Sequence, residues 1–128
     1  MSLRSPLGRV LGLGSAKEGV SHWYAQRVTA VALVVLGLWF IVALATMDGH
    51  GLDRVRDWLR SPLAAALLVL FVVTLAWHTI LGLQVVIEDY VGGEGTKVTL
   101  LVAMKFVMLL AGAVGVIAVL SIASGAPA

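Results

Sequence analysis

Hydrophobic residues run almost unbroken through three stretches of the chain: about Val28 to Thr46, about Pro62 to Ile87, and about Val98 to Ala123. A bilayer crossing needs about 20 predominantly apolar residues, and all three stretches qualify. Each is expected to be α-helical, because a helix satisfies its own backbone groups where lipid offers no partner. The second run exceeds the minimum, so it can tilt or extend past the hydrocarbon. Ser61 stands where an N-cap belongs and Pro62 at the first helical position. Gly92-Gly93 and Gly95 fit a helix stop and a short turn before the third run.

The polar connection Met47 to Arg60 contains one patterned piece. Leu52, Val55, Trp58 and Leu59 recur at helical spacing, with Asp53, Arg54, Arg56, Asp57 and Arg60 between them. That pattern predicts a short amphipathic helix on the membrane surface. The chain thus divides into an N-terminal arm, 1–27, and a three-span region, 28–124. Gly12-Leu13-Gly14-Ser15 resembles a phosphate loop only faintly, without the full pattern or a strand before it; a membrane-proximal arm is the better reading.

Composition agrees with the pattern. The chain has 128 residues, is 60% hydrophobic and only 12% charged, and has a mean hydropathy of +1.02. A soluble domain carries about twice that charge. This is an all-α integral membrane protein, with room for one small bundle. The net charge of +2 comes from a few loop residues and argues for topology, not for nucleic-acid binding. The absence of cysteine excludes thiolate catalysis, disulfides and thiolate-ligated iron–sulfur clusters within the chain. Residues 1–27 contain neither the apolar core of a signal peptide nor the composition of a transit peptide, so a bacterial inner membrane is expected. Arg4, Arg9, Lys17, Arg27 and Lys97 lie on one side of the spans, against Arg54, Arg56 and Arg60 on the other. Lys105 is placed to snorkel toward the first side. This bias favours a cytoplasmic N-terminus and a periplasmic C-terminus.

Within the second run stands one ionisable residue, His78. It lies about 16 Å along the axis from Asp89 and about 24 Å from Pro62, inside the hydrocarbon region. An ionisable group at that depth is costly and needs a partner or a task. Neutral imidazole is also a common axial ligand of haem iron. Phe71, Thr74, His78, Gly82, Val85 and Asp89 share one face, and Gly82 leaves room for a flat macrocycle beside the imidazole. The alternative is a histidine bonded to a neighbouring helix, with Gly82 a packing glycine. His22 and His50 fall outside the predicted spans and on opposite sides. A haem with two histidine ligands would therefore need another polypeptide or another copy.

Asp89-Tyr90 follows at the helix end. Tyrosine there is commonly an interface anchor; the functional alternative is a phenol that donates to a quinone carbonyl, with the acid supporting it. Arg27, beside His22, Trp23 and Tyr24, suits an aromatic belt or a clamp on a carboxylate such as a haem propionate. Ala111, Gly112 and Gly115 permit close helix packing.

Together these residues resemble a hydrophobic membrane anchor of succinate dehydrogenase, respiratory complex II. Of the two anchors in that complex, the likeness is to the D-type rather than the C-type. The resemblance covers most of the chain. It rests on His78-x-x-x-Gly82 followed by Asp89-Tyr90-Val91 on the second span, and on His22-Trp23-x-x-Gln26-Arg27 before the first. The resemblance implies three transmembrane helices forming half of a two-chain haem-binding bundle. It implies His78 as one axial ligand of haem b, the other coming from the C-type anchor, with Arg27 and His22 near the propionates. Tyr90 and Asp89 would contribute to a ubiquinone site beside the iron–sulfur protein, and succinate oxidation would use FAD on the flavoprotein. Gln26 carries no inference, since some relatives have an acid there. The chain alone would catalyse nothing. Alternatives are the anchor of a quinol:fumarate reductase, a haem-free scaffold of three spans, or a small transporter, the last weakened by the lack of a second buried ionisable residue.

Overall fold

The computed structural model describes residues 18–49 and 51–125. Arg4, Arg9, Lys17, His50 and the Gly12–Ser15 stretch lie outside the described residues. Three long helices, α1 (Glu18–Ala45), α3 (Pro62–Tyr90) and α4 (Glu94–Ser124), are long and apolar enough to cross a membrane, and a short α2 (Leu52–Leu59) joins the first two. The long helices have 28, 29 and 31 residues, or about 42 to 46 Å at 1.5 Å per residue. That exceeds the hydrocarbon thickness of about 30 Å, so their ends project into the polar regions. The excess falls mainly at the start of α1, where Glu18 to Arg27 are helical. The apolar run alone begins only at Val28, because the projecting turns are polar.

The helix ends follow the local chemistry. Ser61 is the N-cap of α3 in an extended conformation, with Pro62 in the first turn. Val91 ends α3, and Gly93 takes a φ of 85° to start α4. A positive φ is costly for any residue with a Cβ, so a glycine is needed at this tight turn.

The three long helices form one layer with α3 in the middle. α3 packs against both α1 and α4, while α1 and α4 do not meet among the described residues. Different devices close the two seams. Against α4, small residues let the backbones approach: a Cβ built on Gly112 would lie 3.3 Å from Ala76 Cβ, and one on Gly115 would lie 2.9 Å from Val72 Cγ1. Ala111, expected beside them, is exposed. Against α1, aromatic rings fill the gap: Phe40 stacks on Phe71 at 5.7 Å between centroids, and Gly37 faces the same Phe71 ring.

The short α2 forms as its spacing predicts, but its apolar side is docked. Leu59 is buried with Ala65 of α3 and Val119 of α4, and Val55 and Trp58 pack around them. Trp58 also stacks on Trp39 of α1 at 5.7 Å. Its charged side faces outward, with Arg60 bonded to Asp57 at 3.0 Å. Elsewhere little is buried, and large apolar side chains such as Val31, Leu38, Phe106 and Leu110 stay exposed. In water this surface would be untenable; in lipid it is the expected exterior.

Candidate functional site

The face of α3 that carries Phe71, His78 and Gly82 packs against α1. One turn of α1 meets His78 from two directions. Thr29 Oγ1 lies 2.9 Å from His78 Nδ1, and Gln26 Nε2 lies 3.4 Å from His78 Nε2. Gln26 and Thr29 are three apart and therefore adjacent on one helix face. His22, four residues before Gln26, continues that face.

The Thr29 hydroxyl has one proton and, besides His78 Nδ1, two carbonyls within reach, that of Ala25 at 2.8 Å and that of Gln26 at 3.2 Å. When a carbonyl takes that proton, the oxygen accepts from His78 Nδ1–H, and Nε2 keeps the lone pair toward the Gln26 amide. The Gln26 contact is long for a hydrogen bond. Its other end is unmet: Gln26 Oε1 is buried without a partner, as is His22 Nε2.

Gly82 borders the same arrangement: a Cβ there would lie 3.4 Å from Gln26 Nε2, in contact with the glutamine amide. Toward the N-terminal end of α1 the two helices diverge into an open cleft of about 680 Å³, lined by Ser21, His22, Ala25, Leu81, Gln84 and Glu88 among others. Gln84 donates to Glu88 across this cleft wall at 2.8 Å.

The other expected site residues stand apart from His78. Arg27 is exposed and lies over the Trp23 ring at 5.7 Å. Asp89 and Tyr90 end α3, about 18 Å along the axis from His78 for Tyr90. Tyr90 is 84% exposed, and neither side chain has a hydrogen-bond partner among the described residues.

Sequence reasoning did not find Gln26 and Thr29 as partners of His78. The available signal was spacing: His22, Gln26 and Thr29 recur at intervals of four and three, the signature of one helical face. The apolar run starts only at Val28, so most of this face precedes it and carries no hydrophobic signal.

Residues 1–121 match the family described as succinate dehydrogenase/fumarate reductase transmembrane subunit. The chain belongs to this family. Its relatives include the succinate dehydrogenase hydrophobic membrane anchor subunit of Rickettsia bellii, 34% identical over 84% of this chain and 86% of the relative. The corresponding protein of Paracoccus denitrificans is 35% identical over 74% of each chain. No solved structure matches the chain. This protein is thus a non-catalytic membrane anchor of a complex of the succinate dehydrogenase/fumarate reductase type.

The resemblance implies haem for such an anchor, and the residues around His78 fit it. Thr29 Oγ1 can accept from Nδ1–H, which would leave the Nε2 lone pair for iron. The group resting on Nε2 is a flexible side chain in a long contact. The buried, unpartnered Gln26 Oε1 and His22 Nε2 leave hydrogen-bonding capacity at this end of the helix pair.

Proposed function

We propose that this chain is the D-type cytochrome b anchor of a succinate:ubiquinone oxidoreductase in a bacterial inner membrane. It would pair with a C-type anchor, and the two would carry an iron–sulfur protein and a flavoprotein on the cytoplasmic face. The observation that supports this reading best is the His78 imidazole on an apolar, span-length helix, with Thr29 Oγ1 2.9 Å from Nδ1 and only a long contact at Nε2. A neutral imidazole with that orientation is what an axial position requires.

Haem b, when bound, would supply a one-electron centre within the membrane. The chain's own residues would do the rest. His78 Nε2 would ligate the iron, once the Gln26 amide moves aside. Arg27 and His22 would hold the propionates; Arg27 makes no ion pair among the described residues and so is free to turn toward an anion. Tyr90, at the end of α3, would donate its phenol proton as a hydrogen bond to a carbonyl oxygen of ubiquinone. Asp89 would order the polar edge of that site and relay protons from water.

Replacing His78 with Tyr in the assembled complex tests the ligand assignment. The reduced-minus-oxidised spectrum should lose its low-spin b signature, or the EPR g-values should move to those of a different ligand set. An unaltered spectrum with unaltered g-values would remove His78 from the iron. Absence of any b-type band in the wild-type complex would favour a haem-free anchor instead.

A further inference from the structure

We infer that Thr29 is the residue that orients His78 for iron: a positioning residue that selects the imidazole tautomer and sets the electron donation of the ligand. This rests on the proposed role of His78 as an axial ligand.

The geometry is a relay of two hydrogen bonds. Thr29 Oγ1 lies 2.9 Å from His78 Nδ1 and donates to the Ala25 carbonyl at 2.8 Å, with the Gln26 carbonyl a second acceptor at 3.2 Å. The bond to a backbone carbonyl matters as much as the contact with the ring. It holds the hydroxyl proton away from Nδ1, so that the oxygen meets the ring as an acceptor. Without it, the hydroxyl could rotate and donate to Nδ1, which would place the ring proton on Nε2 and block coordination. The helical carbonyl at i−4 is a fixed acceptor, and a threonine hydroxyl reaches it naturally. Helix α1 therefore carries a built-in selector for the tautomer with Nε2 as base.

Two further consequences follow. Ligating histidines usually donate their second N–H to a carboxylate, a carbonyl or water, and this fixes both ring orientation and basicity. Here a neutral hydroxyl takes that place, polarised by its own bond to the carbonyl. A bilayer interior disfavours the buried carboxylate that would otherwise serve. The bond also joins α1 to α3 at the ligand, so the ring is held before any macrocycle arrives. Gln26 completes the arrangement by occupying Nε2 loosely, at 3.4 Å, and can be exchanged.

Removing the Thr29 hydroxyl makes His78 a poorer donor and should favour ferrous over ferric iron. One such hydrogen bond corresponds to a shift of about two- to tenfold in the ferric–ferrous equilibrium; tenfold is about 59 mV in a one-electron potential.

The test uses the intact purified complex with Thr29→Val, Thr29→Ser and His78→Tyr. Valine keeps the branched shape and removes the hydroxyl; serine restores it. Redox titration of the b band, EPR g-values and haem content per flavin are read for each. The expected result is a higher midpoint potential or shifted g-values, or loss of haem, in Thr29→Val, with return toward wild type in Thr29→Ser. Wild-type potential, g-values and haem content in Thr29→Val overturn the proposal. So does a Thr29→Ser complex that is as impaired as Thr29→Val or fails to assemble, since the hydroxyl would then not be what matters. His78→Tyr separates the two readings. If it leaves the spectrum intact, the ligand assignment itself has failed. If it abolishes the spectrum while Thr29→Val is silent, only the role of Thr29 has failed.

Discussion

Tyr90 and His78 are both chemically distinctive side chains on α3, and they stand in opposite situations. His78 is partly buried with both ring nitrogens engaged. Tyr90 is almost fully exposed and engages nothing among the described residues. A phenol in that state is either an interface anchor or half of a site completed by another molecule. Tyr90→Phe separates these, because it keeps the ring and deletes the donor. Loss of one hydrogen bond costs about 0.5–1.5 kcal/mol, roughly two- to tenfold in quinone kcat/KM. Succinate oxidation with a soluble artificial acceptor should be unchanged, since it bypasses the membrane site. Unchanged quinone kinetics in a fully assembled Tyr90→Phe complex would make Tyr90 an anchor. His78 was legible in the sequence as a lone ionisable group at bilayer depth. Its partners were not, because Gln26 and Thr29 lie 52 and 49 residues away, and only helix packing brings them to the ring.

Between elements, the contrast is in how α3 is gripped on its two sides. Lipid gives helices little reason to associate through apolar burial, so close packing and interhelical hydrogen bonds carry the load. The α3–α4 seam depends on Gly115, whose missing Cβ makes room for Val72. A β-branched valine in a helix has one strongly preferred rotamer, so Val72 cannot easily yield. Gly115→Ala should therefore act as overpacking, at about 1–3 kcal/mol, against a helix-propensity gain of only about 0.5–1 kcal/mol. Gly95, also in α4, meets nothing within 4 Å of a built Cβ, and Gly95→Ala should be neutral. Thermal retention of the anchor in detergent-solubilised complex should fall for Gly115→Ala alone. Equal retention of the two variants would mean that the seam adjusts freely.

The whole molecule is a single layer of helices, with α3 in contact on both edges and broad apolar faces left uncovered. The layer has an odd number of spans, so its ends lie on opposite sides of a membrane. The Lys/Arg bias predicts that the Gly92–Gly95 turn lies in the cytoplasm. A reporter fused after Gly125 should behave as periplasmic, and one fused at Gly93 as cytoplasmic. The reverse pattern would invert the orientation and put Tyr90 on the wrong side for a cytoplasmic iron–sulfur partner. Lys105 bears on the same question. It is exposed and lies about three turns along α4, because the helix starts at Glu94, ahead of the apolar run. Its long stem is what allows the ammonium to reach back to the polar region.

Composition and local periodicity were enough to establish the class of protein, the three span-length helices, the amphipathic α2 and the place of His78 along its helix, because those properties belong to one helix at a time. The residues that carry the resemblance were legible for a similar reason: His78, Gly82, Asp89 and Tyr90 lie on one helix at short spacing. Helix packing was needed to show where α1 begins to matter, what meets each imidazole nitrogen, and what lies over Gly82. Each of these is set between helices, by side chains that are neighbours in space and distant along the chain. An imidazole on a lone helix has no partner for either nitrogen until a second helix supplies one. Thr29 is an ordinary residue in an ordinary apolar run until α1 and α3 meet.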